Sequence, residues 1–580
     1  MMLPRLRSPA GTVLALMTGL ALAGCTASDS TVASKSPAVA QALPTELLTA
    51  SSTPRRRLMT GQQYLNTIAY IFGNDIAVIS PFAPLQRTEG LLALGAFSAG
   101  VPSGELQQFQ RAATTVASQV VDDGNLELSV PSHRDSLIPC KPVDAKKADA
   151  ACAAKFLKAT GRLLYRHPLS EAKLASLVDT AGKAADQLGD FYGGLSSVLE
   201  GTLISPDVLF VNDRSEPDPK RPGRQRLDAY SLAARLSFFL WNAAPDDKLL
   251  KAAESGELYT DKGRARVVEM MLASPRLEAG VRAFFDDMLG FDAFNNLAKD
   301  AAVYPAETGT TLTDAREQTL RTIYDHLITK NRDYRDLFTT RDTFMSPTLG
   351  AIYHVPTTPG WMPYTFPEGS PRVGLLTQVS FLAVHAHPGR SSATRRGKAL
   401  RELLLCQPVP LPPPNVDFSL VEDAKAVFKT ARERVTAHLQ NPVCAGCHRI
   451  TDPMGLALEN FDGAGQFRAT ERDTPIDATG SLDGTAFKDV VGLAETLRNH
   501  PALTSCLAKR VYSYGLGGPL SMADKPELDY LNERFAQHGY KLTDLLRAIV
   551  LSPAFSDVTV PEAPAVKSAA ASTAHGTEVQ

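Results

Sequence analysis

The chain contains no G-x-S-x-G, no G-x-x-x-x-G-K-[ST] and no H-E-x-x-H. Those absences remove the nucleophile elbow, the phosphate-cradling loop and the helical zinc pair. Neither charge is in excess: 60 Lys and Arg stand against 62 Asp and Glu, a formal net charge of -2. Bulk charge therefore gives no argument for nucleic acid. Low-complexity polar stretches occur only near the ends. Long apolar runs are nearly absent too. The one run, "GTVLALMTGLALAGC", lies near the N-terminus and is too short for a good spanning helix. What remains is ordinary globular composition, 44% hydrophobic and 21% charged. At 580 residues the chain can fill several domains around a large buried core.

The apolar run follows Arg5 and Arg7 and ends at Cys25, after Leu22, Ala23 and Gly24. This is the layout of a secretory signal. The tetrad "LAGC" resembles a bacterial lipobox, in which the signal is cut before the cysteine and the cysteine is lipidated. The expectation is an exported bacterial lipoprotein held to a membrane through Cys25. Thr26, following the cysteine, points to the outer membrane, periplasmic or surface-facing. Six of the seven cysteines lie beyond Cys25: Cys140, Cys152, Cys406, Cys444, Cys447 and Cys506. Exported thiols tend to be oxidised. With Cys444 and Cys447 used together, four remain and three pairings are open. Cys140–Cys152 with Cys406–Cys506 is preferred: it closes a short loop and ties two distant C-terminal segments.

Residues 26–54 are rich in Ala, Ser, Thr and Pro and read as a tether. Arg55, Arg56 and Arg57 then read as the solvated start of the body. The tail from 557 reads as disordered. Between them the pattern is mainly helical. Thr60 is placed to cap "GQQYLNTIAYIF" and Gly73 to stop it. "DAYSLAARLSFFLW" spaces Leu232, Leu236 and Leu240 as a helix does. "PDDKLLKAAESGEL" begins with Pro245 and acids, suited to a helix N-terminus. "DAREQTLRTIYDHLI" and "ATRRGKALRELLLC" are further amphipathic helices. Three apolar runs meet Ser-Pro, in "TLISPDVLF", "MLASPRLEA" and "AIVLSPAFS", where Pro stops one helix and Ser-Pro can cap the next. The Pro-rich stretch 407–417 reads as an extended strap. Turn residues near 473–487 predict a small β-hairpin.

One motif carries chemistry: Cys444-Ala445-Gly446-Cys447-His448. Cys-x-x-Cys-His is the pattern of covalent haem c attachment. The two thiols bond the porphyrin vinyl groups as thioethers, and the adjacent histidine becomes an axial iron ligand. Small Ala445 and Gly446 let the backbone approach the macrocycle. One covalent haem, held by Cys444, Cys447 and His448, is the expectation. Zinc, with His438 as a fourth ligand, and a plain disulfide are the alternatives; no second C-x-x-C supports zinc. The sixth ligand stays open among Met522, Met454, His385, His387 and His438. Methionine there would suit electron transfer, and an open position would allow peroxide or dioxygen chemistry. Asp473, Asp477 and Asp483 do not match an EF-hand and read as turn residues. Around the motif stand Asp452, Glu459, Asp462 and Arg468. Asp452 reads as a helix cap and Glu459 as the ion partner of Arg468, ahead of a role toward haem propionates.

"CAGCHRITDPMGLALENFDGAGQFR" resembles the signature of a large exported family first noted in planctomycetes. That family is described as cytochrome c-like and is built of domains of unknown function numbered 1587, 1595, 1592, 1588 and 1585. "RLMTGQQYLNTIAYIFG" is similar to the first module, and "GRLLYRHPLSEAKLASL" through "LISPDVLF" to the second. "LAARLSFFLWNAAPDDKLLKAA" is similar to the third and "FLAVHAHPGRSSATRRGKALRELLLCQPVPLPPPNVD", with the CxxCH segment, to the fourth. "LTSCLAKRVYSYGLGGPL" is similar to the fifth. The resemblance implies a haem site at Cys444, Cys447 and His448 and a structural role for Cys406 and Cys506. In the first module Gln62-Gln63 replace a usual acid, and Ala69-Tyr70 a usual Arg-Asp.

The sequence thus predicts a mainly α, multi-module protein. Its expected parts are a signal peptide (1–24), a tether (25–54) and an N-terminal helical module (55–130). Next come a module carrying the Cys140/Cys152 loop (131–215) and a central module (225–355). A cytochrome c-like module (370–485), a C-terminal module (486–556) and a tail (557–580) complete the chain. The expected function is redox, as electron transfer or haem-dependent oxidation, with a membrane and a possible redox protein as partners and no nucleic acid. The alternative is a non-redox binding or scaffold lipoprotein. With one CxxCH, hopping between two haems within the chain is not expected.

Overall fold

The computed structural model describes residues 51–79, 82–122, 133–307, 309–411 and 428–559. The signal, Cys25 and most of the tether lie outside these residues, as do residues 412–417 of the Pro-rich strap and the tail from 560. Helix dominates, and strands occur only as small antiparallel groups. Among the described residues no helix is long and apolar enough to cross a membrane.

Local sequence explains the first helix. Thr60 Oγ1 accepts from the Gln63 N–H, Gln63 reaches back to the Thr60 N–H, and Gly73 at φ +119 ends the helix Gly61–Phe72. Gln63 therefore closes a capping box. It also accepts a hydrogen bond from Arg57 at 2.8 Å. The helix Ala229–Leu240 starts at Asp228, whose carboxylate accepts from the Ser231 N–H. It is buried almost all round, which is why its sequence lacks a polar face. The helix Asp247–Glu254 is capped by Asp246, with Pro245 just before it.

The modules do not stand as separate beads. One core runs from Leu232 and Phe239 through Phe284, Leu337 and Leu400 to Met454, Leu507 and Phe555. A second, N-terminal core gathers Tyr64, Phe156, Leu195 and Leu209. A third lies around Leu312, Met345 and Val379. A fourth, small cluster of Ala393, Val435 and Leu456 joins three helices around the motif.

Both ends of the body take part in structure. Asp557–Val558 pairs with Gln225–Arg226, and Ser52 bridges Val558. Ordered chain thus reaches into the expected tether and the expected tail. Of the three arginines at the start, Arg56 is exposed, but Arg55 is buried and Arg57 half-buried rather than solvated. Arg55 is buried and donates to the Pro519 carbonyl at 2.8 Å, while its N–H donates to Asp213. Asp213 also pairs with buried Arg235. The reason is charge: a carboxylate on the neighbouring chain stabilises arginines that would otherwise stay in water. The turn near 473–487 is two hairpins, Thr470–Glu471 with Thr474–Pro475 and Gly480–Leu482 with Thr485–Phe487. Arg472, Asp473 and Asp483 adopt positive φ at their tips.

Candidate functional site

Asn441 caps the helix Pro442–Leu456 by accepting from the Val443 N–H at 3.0 Å, and Pro442 occupies its first position. Cys444, Cys447 and His448 fall at i, i+3 and i+4 on this thiol helix and so share one face. Both thiols are free and half-buried. The surroundings are open. A side chain at Gly446 would meet nothing within 4 Å. Val443 (55% exposed) and Ile450 (38%) flank Cys447 at i-4 and i+3, and Leu411 is 80% exposed. Cys447 Sγ approaches the Pro410 carbonyl at 3.6 Å, which brings that segment alongside. Among the described residues this apolar edge beside two thiols is uncovered, which suits a flat apolar group.

His448 is oriented from behind. Its Nδ1 lies 2.7 Å from Asp452 Oδ2. A carboxylate only accepts, so Nδ1 carries the proton in this bond, and Nε2 is the nitrogen turned away from Asp452. Asp452 is itself fixed: Oδ1 accepts from Thr394 Oγ1 at 2.8 Å and from Thr451 Oγ1 at 3.1 Å. Asp452 is therefore not a helix cap. It sits inside the helix, 2% exposed, because Pro453 falls in the last turn and the helix runs through it. The i, i+4 spacing of His448 and Asp452 was the available signal.

The helix Ala393–Ala399 supplies Thr394 and buttresses the thiol helix. Two glycines allow the contact. A Cβ on Gly397 would lie 1.9 Å from the Thr451 carbonyl oxygen, and one on Gly455 would lie 1.8 Å from that of Ala393. Arg396, fully buried, donates to the carbonyls of Leu458 and Phe461 at 2.8 and 2.7 Å and to that of Asp462 at 2.5 Å. It pins the loop after the thiol helix. In that loop Arg468 bonds Glu459 Oε2 at 2.9 Å, the expected ion pair, and Ser391 Oγ bonds the same oxygen at 2.5 Å. Asp462 accepts from the N–H groups of Ala464 and Gln466, both at 2.9 Å, and closes a turn. Gly397, Gly455, Thr394, Ser391 and Arg396 carried no signal readable before the helices were paired.

The five candidate sixth ligands separate. Met522 is 84% exposed on a short 3-10 turn. Met454, 1% exposed, belongs to the main core. His385 packs against Phe381 with ring centroids 4.9 Å apart. Burial, followed by the charges of Arg396 and Arg395, pushes its pKa down to about 3. His387 is pushed to about 4, again chiefly by burial. His438, on the helix Ala431–Leu439, lies beside the motif: its ring centroid is 4.8 Å from that of His448. Burial, then His448, lowers its pKa.

The remaining cysteines are paired as Cys140–Cys152 and Cys406–Cys506. The second bond spans the segment that holds the motif. Asp477 pairs with Arg432 at 2.9 Å and Asp483 with Arg401 at 2.7 Å. Among the described residues no three His, Cys, Asp or Glu are placed to hold a metal ion between them. The donor set fits haem c: two free thiols on one helix face, an imidazole with Nε2 turned away from Asp452, and an open apolar edge. Cys444 and Cys447 would hold the porphyrin and His448 the iron, and the group would supply one-electron chemistry. A separate cleft of about 900 Å³ is lined by Trp361, Arg321, Glu317, Asp286 and Tyr514, with no residue from the thiol helix.

Four protein-family models match the chain, each described as a protein of unknown function. They are DUF1595 over 152–213, DUF1592 over 227–355, DUF1588 over 372–471 and DUF1585 over 483–555. The DUF1588 model, labelled PSCyt3, covers the CxxCH motif. No curated protein and no solved structure matches the chain. Four domains in the order 1595, 1592, 1588 and 1585 place the chain in the planctomycete cytochrome c-like family built of this domain set.

Proposed function

We propose that this chain is an exported lipoprotein, anchored through Cys25, that carries one covalent haem c and works in redox chemistry. Cys444 and Cys447 bind the porphyrin, and His448 binds the iron through Nε2. The observation that carries the reading is the His448–Asp452 bond at 2.7 Å beside two free thiols. A buried carboxylate that fixes the tautomer and charges the ring is the usual support of a metal-bound histidine. A plain disulfide would need no such support. The anchor rests on the "LAGC" layout, and Thr26 after Cys25 favours the outer membrane. A redox partner protein exchanges electrons with it there.

A second reading, oxidation of a substrate by the haem, draws on the cleft lined by Trp361 and Glu317. Peptide mass spectrometry tests the haem. The protein is exported in a host with cytochrome c maturation machinery and digested. The fragment containing Cys444–His448 should carry the mass of haem, and a fragment of unmodified or disulfide mass would contradict the proposal. The N-terminal fragment should begin with a lipidated Cys25, and Cys25→Ala should release the protein from membranes.

A further inference from the structure

We infer that His438 is the second axial ligand of the haem proposed above, so that two imidazoles hold the iron; the inference rests on that haem reading. Three observations carry it. The His438 ring meets the His448 ring edge to face, with centroids 4.8 Å apart and planes inclined by 66°. It stands on the helix that packs directly against the thiol helix, so a modest separation of two adjacent helices admits a group between the rings. It is 8% exposed, and among the described residues neither Nδ1 nor Nε2 has a hydrogen-bond partner. An imidazole stripped of water with both nitrogens idle is uncommon in a folded protein. A bond to iron gives one of those nitrogens its partner.

The other candidates lack this arrangement. Met522 is exposed to water and Met454 is sealed in the main core, on the same helix as His448. His385 and His387 lie on neither of the two helices that carry these two rings.

The assignment narrows the redox reading. A filled sixth position leaves no site for peroxide or dioxygen, so the haem passes electrons. Two nitrogen ligands, one charged by Asp452, also stabilise ferric iron relative to the His/Met set and lower the potential.

The test uses the full-length, matured protein. A pyridine haemochrome first establishes the haem. The ferric spectrum and its electron paramagnetic resonance should then be low-spin with two nitrogen ligands, and ferrous protein should bind carbon monoxide slowly. His438→Ala should turn the iron high-spin, speed carbon monoxide binding at least tenfold, and be restored to low spin by added imidazole. His438→Met should shift the signature toward His/Met ligation and raise the potential, which covers a fold defect in the alanine variant. Met522→Ala and His385→Asn should leave the spectrum unchanged. A low-spin spectrum unaltered in both His438 variants, or a high-spin parent, overturns this ligand assignment alone. Absence of any haemochrome overturns the haem reading and this inference with it.

Discussion

The carboxylate of Asp452 accepts hydrogen bonds from His448 Nδ1, Thr394 and Thr451 while buried. Asp452→Ala leaves the Thr394 hydroxyl and a ring N–H without their acceptor, while Thr451 keeps the Cys447 carbonyl at 3.1 Å. Urea unfolding of the protein without haem should show a loss of about 1–3 kcal/mol. A second expectation concerns His385, held neutral by burial with its pKa pushed down to about 3. Its folded pKa lies below its unfolded value near 6.5, so its contribution is complete above that value. The contribution is lost as pH falls from there toward about 3, with a slope of up to about 1.4 kcal/mol per pH unit. His385→Asn should flatten the acid limb of stability against pH, and an unchanged limb would contradict the burial argument. At this scale the Cys-x-x-Cys-His motif was legible, because Cys444, Cys447 and His448 lie within five residues. The role of Asp452 was not. A residue before proline is biased out of helix, so Asp452-Pro453 reads as a boundary until the helix is seen to pass through it. His438 was one of five candidates, and only the pairing of two helices set it apart.

The pairing of the buttress helix with the thiol helix depends on Gly397 and Gly455. A methyl group at either would press on backbone carbonyl oxygen, which cannot rotate away. Gly397→Ala and Gly455→Ala should each cost about 1–3 kcal/mol, read as a lower Tm by calorimetry. Gly446→Ala, inside the thiol helix and facing open space, should instead stabilise by about 0.4–1 kcal/mol, because alanine is the better helix former. Helices with strong ends were legible: Thr60 and Gly73 bound the first one as their chemistry dictates. The Ser-Pro pattern was legible only in part. Pro206 and Pro553 do open helical turns, yet Ser205 and Ser552 make no side-chain cap bond. Ser346-Pro347, outside the three quoted runs, does cap: Ser346 Oγ accepts from the Leu349 N–H at 3.4 Å. Proline fixes where a helix can begin, while the hydroxyl bond depends on a rotamer that neighbours decide.

Across the whole molecule, three of the four matched modules share one hydrophobic core, in which Phe239, Phe284, Met454 and Phe555 belong to a single cluster, while the module 152–213 packs into the N-terminal core around Phe156 and Leu195. Composition revealed a large helical protein; it did not reveal that the first and last described segments close on each other, because the bridge between Ser52 and Val558 is non-local. The Cys406–Cys506 bond closes a loop with a sequence separation of 100 around the motif. Replacing both residues by serine should lower stability by about 3–5 kcal/mol in guanidinium unfolding, since a long unfolded loop regains its entropy. The central claim is that this helical frame presents a covalent haem. The measurement that tests it most directly is a reduced pyridine haemochrome spectrum of the exported, matured protein beside a Cys444→Ala/Cys447→Ala control. A c-type band at about one haem per chain, lost in the control, is the predicted result. A matured protein with no such band, or a band that survives loss of both cysteines, would contradict the account.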